Sequence, residues 1–316
     1  MICNKGYVTK QGYHCFNICV ANYLKYKNTM LDEIDLFLRS KEYEIDVPEE
    51  GIIIYGLHKN TLGMLEDVGI PYELKSIQDG KNAKEILSEC IRNEDLVTVF
   101  LKTSCLKYSR VFTYANDINH CVNVIGMDEN DRVLISDGFI TGYKAGCFEG
   151  WISFDELLNA WKSMNYSYII FHLDEMGDQI TENKKYWISD IFSQYIVDNE
   201  KVTNRFINEI NRLKDCDNDV RSSKLMDFNT FLRVGGFMLV KNYFLGIMNK
   251  YNLDREITEK YANMIKGWNI ISCMIIKLMY ANAEDKYEEI ICKMRALLDS
   301  ENEILLSINH MDLLNA

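Results

Sequence analysis

Residues 11–27 read QGYHCFNICVANYLKYK and decide the fold, because a glycine-containing turn runs directly into an apolar helical pattern. We predict a helix that begins at Cys15 and ends at Lys27. The first N–H groups of a helix have no intrahelical partner, and its N-terminus is the positive end of the helix dipole. Both stabilise a thiolate, so Cys15 is a candidate nucleophile whose own N–H group could contribute to an oxyanion hole. Cys19 lies one turn further along the same face; we expect it in the core, and it is the alternative nucleophile.

A thiolate nucleophile needs a partner that handles protons, and His120 is the candidate among the five histidines. It directly precedes a predicted strand, CVNVIG at 121–126. A polar turn and a second predicted strand, RVLIS at 132–136, follow, and this strand ends at Asp137. A hairpin of this length brings the start of its first strand beside the end of its second. We therefore predict that Asp137 orients His120 as the base of Cys15, in a catalytic triad.

The composition is that of a globular protein, with 47% hydrophobic and 26% charged residues, and 316 residues are enough for two domains. The net charge of -12 argues against a nucleic-acid partner, because phosphate binding needs a basic surface. The ten cysteines lie mostly on apolar runs, which is typical of buried free thiols. With no export signal and no apolar run long enough to span a bilayer, we expect a cytoplasmic protein without a membrane partner.

The sequence pattern changes near residue 176. Residues 1–176 mix helical and strand patterns, whereas residues 177–316 show almost only helical periodicity. The polar segment Met176–Asn183 is the predicted linker. We therefore predict an α+β catalytic domain at 1–176 and an all-helical substrate or partner domain at 177–316. Further predicted elements of the first domain are helices at 61–68 and 83–92, a short helix that Ser153 caps, and strands at 95–101, 111–114, 121–125, 132–136 and 166–173.

These motifs resemble the papain-like fold of the bacteriocin-leader cysteine peptidases and their non-proteolytic relatives. Within that group they are most similar to acyltransferases of the butirosin biosynthesis protein H type. The resemblance implies a papain-like cysteine protease fold, an N-terminal helix plus an antiparallel sheet, followed by an all-helical C-terminal domain. It rests on His14-Cys15, on Val20 and Asn22 to Leu24 with Tyr26, on HCVNVIG at 120–126, on VLISD at 133–137, and on the helical region around Trp268.

The resemblance also implies a function, that of a thiotemplated acyltransferase or transamidase. Such an enzyme takes an acyl chain as a thioester from the phosphopantetheine arm of an acyl or peptidyl carrier protein. It holds the chain on cysteine and passes it to a small amine, forming an amide in natural product biosynthesis. One reaction of this kind joins a carrier-bound oligo-β-alanine chain to a diamine in closthioamide assembly. We therefore expect a carrier protein and an amine or diamine acceptor as partners, and no cofactor or metal.

The sequence departs from the leader peptidases at two positions. Those enzymes usually carry an oxyanion-hole glutamine six residues before the cysteine, whereas Gln11 lies four residues before Cys15. Gln11 is therefore an oxyanion candidate that Asn17 or a backbone N–H group could replace. The glycine that often follows the cysteine in peptidases is Phe16 here, and a bulky residue would alter the acceptor side of the cleft.

Three other functions fit the same residues. A cysteine peptidase would use the same Cys-His-Asp triad. His14, Cys15, Cys19 and Cys121 could instead form a structural zinc site, although Cys121 should point away from His120 on its strand. A papain-like shell without activity could serve as a binding module.

Overall fold

The chain forms two compact units in the computed structural model. The first contains Met1–Ser40 and Thr61–Asn183, and the second contains Lys41–Asn60 and Lys184–Ala316. The segment 41–60, which the sequence pattern assigns to the first domain, therefore belongs with the helices. The predicted linker and the boundary at 176/177 lie outside the described residues. The structure describes residues 2–49, 53–59, 61–78, 80–110, 112, 118–140, 146–175, 188–280 and 284–309.

The protein is mixed α+β, with a large sheet in the first unit and a two-stranded hairpin in the second. The strands are β1 Ile2–Cys3, β2 Ile45–Asp46, β3 Ile54–Tyr55, β4 Tyr72–Ser76, β5 Leu96–Lys102, β6 Asn119–Met127, β7 Arg132–Ile140, β8 Gly146–Ser153 and β9 Ser167–Phe171. Within the described residues, seven strands form the large sheet in the order β4-β9-β5-β6-β7-β8, with β1 paired to β6. All these pairings are antiparallel.

The helices cover the sheet of the first unit and make up most of the second. They are α1 Cys15–Tyr26, α2 Glu33–Arg39, α3 Gly56–Lys59, α4 Gly63–Val68, α5 Ala83–Arg92, α6 Phe154–Lys162, α7 Ile188–Leu213, α8 Asn218–Val234, α9 Phe237–Lys250, α10 Arg255–Tyr280 and α11 Glu284–Asn309. Short 3₁₀ turns follow β5 and β9. Ser153 accepts a hydrogen bond from the Glu156 N–H group and so caps α6, as its spacing predicts.

Alternation along β6 gives the sheet a core on each face. Val122 packs with α5 and α6 in a cluster that contains Trp161. Cys121, its neighbour in the chain, packs in the opposite cluster with Phe16 of α1. Helix α1 therefore covers the face opposite α5 and α6, in contact with β6 and β7.

The strongest sequence patterns predict several elements of the first unit well. The helix at 83–92 matches α5 at both ends, and α1 begins at Cys15 as predicted. The two hairpin strands are β6 and β7, but both are longer than predicted, because β6 already contains His120 and β7 continues beyond Asp137.

Other elements differ from the prediction for identifiable reasons. Strands β4 and β8 were not predicted: β4 spans only five residues, most of them exposed, and the side chains of β8 are only partly buried. Of the strand predicted at 111–114, only Phe112 lies within the described residues. Phe112 is helical rather than extended, so the prediction of a strand there is wrong at this position.

The second unit buries the most apolar helical sequence of the chain. Helix α11 packs against α7 and α10, while α8 and α9 pack against each other and against α10. The stretch Asn218–Lys250 is long and apolar enough to cross a membrane by length and composition alone, yet 67% of its most apolar window is buried inside the protein. That degree of burial is typical of helices in a protein core.

A buried ion pair joins four helices of this unit. The Lys241 ammonium group of α9 lies 2.6 Å from the Glu301 carboxylate of α11, and both side chains are fully buried. Lys241 also donates to the Tyr195 hydroxyl of α7 at 2.7 Å, and the Tyr261 hydroxyl of α10 donates to Glu301 at 3.0 Å. Burial lowers the pKa of Lys241, although the carboxylate of Glu301 opposes this shift. Loss of either charge would leave the other one buried without its partner.

We predict that Lys241→Met lowers the free energy of unfolding by about 3–5 kcal/mol, because an uncompensated carboxylate remains in the core. The double variant Lys241→Met/Glu301→Gln should be less destabilised, since its core contains no unpaired charge. Lys201→Met is the matched control: Lys201 pairs with Asp198 but is 56% exposed, so its loss should change the stability by about 0–1 kcal/mol. Urea unfolding followed by circular dichroism measures all three. Equal losses in Lys241→Met and Lys201→Met would contradict the prediction.

Candidate active site

Cys15 occupies the first position of α1, at an uncapped helix N-terminus. The preceding residue, His14, is extended, and its side chain makes no capping hydrogen bond to the first turn. Cys15 is half-buried, whereas Cys19, one turn later, is buried. As a residue, Cys15 is thus more exposed than Cys19.

The segment before Cys15 is held by a buried carboxylate from α2. Glu33 accepts hydrogen bonds from the N–H groups of Tyr13 and His14, each at 2.9 Å to its Oε1 atom. The N–H group of Gly12 donates to the carbonyl of Gly138 at 2.9 Å. These three N–H groups are already engaged, so the N–H of Cys15, in the uncapped turn, is the backbone donor suited to a substrate oxygen.

The two side-chain candidates for the oxyanion hole lie in different surroundings. Gln11 is exposed, and within the described residues its side chain forms no hydrogen bond with Cys15, His120 or Asp137. Asn17 is fully buried, and its Oδ1 atom lies 3.3 Å from Nδ1 of His14. The role of Gln11 therefore stays a prediction.

His120 of β6 and Asp137 of β7 form a hydrogen-bonded pair. Nε2 of His120 donates to Oδ2 of Asp137 at 2.9 Å, and both side chains are buried. The same carboxylate oxygen accepts the hydroxyl of Tyr108 at 2.6 Å, and Oδ1 accepts the N–H of Phe139 at 2.9 Å. Three donors thus fix the carboxylate, and the carboxylate fixes the imidazole. Because Nε2 is engaged, Nδ1 is the nitrogen that remains for Cys15.

Aromatic rings surround this histidine-aspartate pair. The ring of Phe112 lies 5.3 Å from the His120 ring, centroid to centroid. The Tyr108 ring stacks on Phe148 of β8 at 4.3 Å, and this contact holds the hydroxyl over Asp137. An apolar surrounding of this kind strengthens the hydrogen bonds that it encloses.

The electrostatics of Cys15 favour the thiolate. A hydrogen bond with Cys121 contributes most to lowering the pKa of Cys15 well below its ordinary value, against the opposing effect of burial. The charges of His14 and His120 and a hydrogen bond with His120 lower this pKa further. Cys90 provides the contrast within the same chain, because burial raises its pKa to about 11.

The pKa of His120 shifts in the complementary direction. Burial alone would lower it, but the carboxylate of Asp137 and the sulfur of Cys15 outweigh that effect and hold it well above its ordinary value. A lowered thiol pKa and a raised imidazole pKa describe a thiolate-imidazolium pair that exists between the two values. Such a pair has a nucleophile and a proton donor ready at neutral pH.

Asp137 and Gly138 lie within β7 and do not form a turn. The strand continues to Ile140, with an irregularity opposite β8 between Asp137 and Ile140. A Cβ atom on Gly138 would lie 2.6 Å from Ile18 of α1 and 2.8 Å from the carbonyl oxygen of Lys10. The glycine is required for this close approach, which brings the start of α1 next to the carboxylate-bearing strand.

Cys121 was predicted near Cys15 only as a ligand of the alternative zinc site. It hydrogen-bonds with Cys15, and its Sγ atom lies 4.0 Å from Sγ of Cys19. Burial raises the pKa of Cys121 well above its ordinary value, so it stays a thiol, and its S–H group donates to Sγ of Cys19. Within the described ranges, no group of three or more His, Cys, Asp or Glu side chains is arranged to hold a metal ion.

For three residues of this site, no role beside the triad was predicted from the sequence. Tyr108 follows β5 in a segment without periodicity, and Glu33 looks like an ordinary first-turn acid of α2. Cys121 reads as a strand residue of the core. The sequence held no signal for Glu33: a buried acid indicates that donors surround it, but burial is not visible in the sequence.

No family model matches the chain, and no curated protein matches it significantly.

We predict that iodoacetamide alkylates Cys15 at pH 6, where an ordinary thiol of pKa about 8.5 is less than about 1% ionised. The exposed Cys147, Cys273 and Cys292 serve as internal references, because peptide mass spectrometry resolves each of them. His120→Ala should shift the pH profile of Cys15 upward towards these references, since the imidazolium no longer stabilises the thiolate.

The matched control for that experiment is His172→Ala, which removes a half-buried histidine paired with Glu73. It should leave the profile of Cys15 unchanged. A wild-type Cys15 that reacts only at alkaline pH, in parallel with Cys147, would show that the thiolate is not stabilised.

We also predict that Glu33→Ala loosens the segment that leads into Cys15. Two backbone N–H groups would lose a charged acceptor, so the free energy of unfolding should fall by about 1.5–3 kcal/mol. Alkylation of Cys15 at pH 6 should slow at the same time. Glu85→Ala, an exposed acid of α5, is the control and should change neither quantity. A normal alkylation rate in a destabilised Glu33→Ala would limit Glu33 to a structural role.

Proposed function

We propose that the chain is a papain-like acyltransferase in which Cys15, His120 and Asp137 are nucleophile, proton-transfer group and orienting carboxylate. The observation that supports this best is the paired shift of pKa, downward for Cys15 and upward for His120, at a helix N-terminus beside an antiparallel sheet. The hydrogen bond of 2.9 Å between His120 and Asp137 adds the third member. A thiolate, an imidazolium and a fixed carboxylate in this order are the parts of a cysteine acyl-transfer site.

The proposed reaction has two steps. The Cys15 thiolate attacks the carbonyl carbon of a thioester, and the developing oxyanion is bound by the N–H group of Cys15. The tetrahedral intermediate collapses as the C–S bond to the donor thiol breaks, and the released thiolate takes a proton from His120. A neutral amine then attacks the acyl-cysteine. His120, now a base, removes the proton from the amine nitrogen as the C–S bond to Cys15 breaks, which leaves the amide and the thiolate-imidazolium pair.

The thioester donor in this proposal is a carrier protein loaded through its phosphopantetheine arm, and the enzyme needs no cofactor of its own. The acceptor is a small amine or diamine, which suits a chain of net charge -12. An oligo-β-alanine chain transferred to a diamine is the most specific form of the proposal. The sequence resemblance supports the donor and the acceptor, and the geometry of the site supports the chemistry. A cytoplasmic location belongs to the same proposal, since carrier proteins are loaded there.

A cysteine peptidase is the second candidate, because the same thiolate-imidazolium pair supports it equally. A peptidase would hand the acyl group from Cys15 to water. Phe16, where leader peptidases often have a glycine, is buried against Phe100 at 6.0 Å and so does not distinguish the two candidates. The two candidates differ in one measurable quantity, the partition of the acyl-enzyme between water and an amine.

We predict that a β-alanyl thioester of N-acetylcysteamine, a small mimic of the loaded arm, transfers its acyl group to the protein. Intact mass spectrometry should detect one acyl adduct, and this adduct should be absent from Cys15→Ala. Cys147→Ala, which removes an exposed cysteine, is the matched control and should still be acylated. His120→Ala should slow the transfer by about 10²–10⁴-fold, as expected for loss of a general acid–base group.

Addition of a short diamine decides between the two candidates. The transferase should convert the acyl-enzyme into the amide faster than water hydrolyses it. Release of free acid alone, at a rate that the diamine does not change, would favour the peptidase. An adduct that persists in Cys15→Ala would contradict both, because the nucleophile would then be another residue.

A further inference from the structure

The carboxylate of Asp137 shares one of its oxygen atoms between two donors. Its Oδ2 atom accepts the Nε2–H group of His120 at 2.9 Å and the hydroxyl of Tyr108 at 2.6 Å. Its Oδ1 atom accepts the N–H group of Phe139, two residues further along β7. Of these three donors, Tyr108 alone comes from outside the hairpin of β6 and β7. The orientation of the carboxylate therefore depends on a residue that the hairpin itself does not place.

Aromatic contacts fix the ring of Tyr108. It stacks on Phe148 of β8, with the centroids 4.3 Å and the ring planes 11° apart. Phe112 meets the Tyr108 ring edge to face at 5.7 Å, and the same Phe112 ring lies 5.3 Å from the ring of His120. Burial raises the pKa of Tyr108 well above its ordinary value, and the carboxylate of Asp137 raises it further. The hydroxyl therefore keeps its proton and remains a donor.

A residue of α6 holds the backbone next to Tyr108. The carboxylate of Glu156 accepts the N–H group of Lys107, which directly precedes Tyr108, at 2.7 Å. Glu156 lies in the first turn of α6, and its own N–H group donates to the capping hydroxyl of Ser153 at 3.1 Å. Because the cap stabilises this first turn, the start of α6 determines where the backbone of Tyr108 lies.

We propose that Tyr108 is a positioning residue that acts on His120 through the carboxylate of Asp137, and that Glu156 holds Tyr108 in place. A carboxylate with donors on both oxygen atoms is hindered from turning about its Cβ–Cγ bond. The imidazole that donates to this carboxylate is then held at one angle, so its Nδ1 atom keeps a constant direction during proton transfer. Without the Tyr108 hydroxyl, the carboxylate and the imidazole would both turn more freely.

This inference deepens the proposed function and rests on it only for the effect on acyl transfer. The hydrogen bonds that carry it join Tyr108, Asp137 and His120, and none of them includes Cys15. The orientation of the imidazole is therefore measurable without any substrate.

The direct test measures how fast the Nε2 proton of His120 exchanges with water, by NMR of the full chain with isotope-labelled histidine. The variant His120→Gln identifies the resonance. A proton in a buried hydrogen bond exchanges only when the bond opens. In Tyr108→Phe it should exchange about tenfold faster, because the carboxylate has lost a donor. The phenylalanine retains the ring that contacts Phe148 and Phe112, so the packing of the segment is preserved.

A matched control removes a tyrosine hydroxyl of the same unit that also donates to a carboxylate. Tyr72 donates to Glu66 at 3.1 Å, and Tyr72→Phe should leave the exchange of the His120 proton unchanged. Equal exchange rates in the wild type and in Tyr108→Phe would overturn the proposal.

The variant Glu156→Ala tests the support from α6. It should speed the exchange of the His120 proton by a smaller factor than Tyr108→Phe does. In the double variant Tyr108→Phe/Glu156→Ala it should add nothing, because its effect passes through the Tyr108 hydroxyl. Two factors that multiply in the double variant would overturn the role of Glu156.

Acyl transfer from the N-acetylcysteamine thioester provides the second readout. Tyr108→Phe should slow the transfer by about tenfold and leave the KM for the thioester unchanged, since the hydroxyl contacts the carboxylate and not the substrate. Transfer at the wild-type rate in Tyr108→Phe would overturn the positioning role and leave the proposed function standing. A wild type that transfers no acyl group would refute the proposed function, while proton exchange would still decide whether Tyr108 positions His120.

Discussion

The close approach of the chain before α1 to strand β7 is the constraint on which the candidate site depends. The N–H group of Gly12 bonds to the carbonyl of Gly138, and a side chain on Gly138 would collide with Ile18. Asp137 directly precedes Gly138, so the contact that docks the helix also sets the distance from the helix start to the carboxylate. At Gly138, the helix N-terminus that carries Cys15 meets the strand that carries Asp137.

The side chains on the two faces of β6 contribute to the site in different ways. His120 and Cys121 are neighbours in the chain, and in a strand neighbours face opposite sides. His120 lies with Asp137 and the ring of Phe112, while Cys121 lies in the cluster beneath α1. Cys15 interacts with both because it stands at the helix end. The imidazole of His120 therefore supplies positive charge and proton transfer to Cys15, whereas the buried thiol of Cys121 contributes a hydrogen bond that lowers the pKa of Cys15.

The sequence predicts the parts of this site that short-range patterns encode. Cys15 begins a helix because an apolar pattern of period 3.6 begins there, and His120 and Asp137 meet because two apolar strands enclose a polar turn. It does not predict the residues that act through long-range packing. Glu33 binds a segment 19 and 20 residues before it, and Tyr108 reaches Asp137 across 29 residues. The inclusion of 41–60 in the helical unit depends in the same way on tertiary contacts, since the short strands β2 and β3 carry almost no periodic signal.

The lowered pKa of Cys15 has opposite effects on the two steps of the proposed transfer. A less basic thiolate is a weaker nucleophile, so acylation gains from having the thiolate fully formed but loses some intrinsic reactivity. In the second step the same sulfur is the leaving group, and a less basic thiolate leaves faster. An acyl group on Cys15 is therefore more reactive towards an amine than the same group on an ordinary carrier thiol. Acylation from such a thiol is slightly uphill, and the formation of a stable amide draws the sequence forward. A donor amide would instead need His120 to protonate a poor leaving group in the first step. An imidazolium at His120 could supply that proton, so the two donors differ in the demand they place on His120 and not in the demand they place on Cys15.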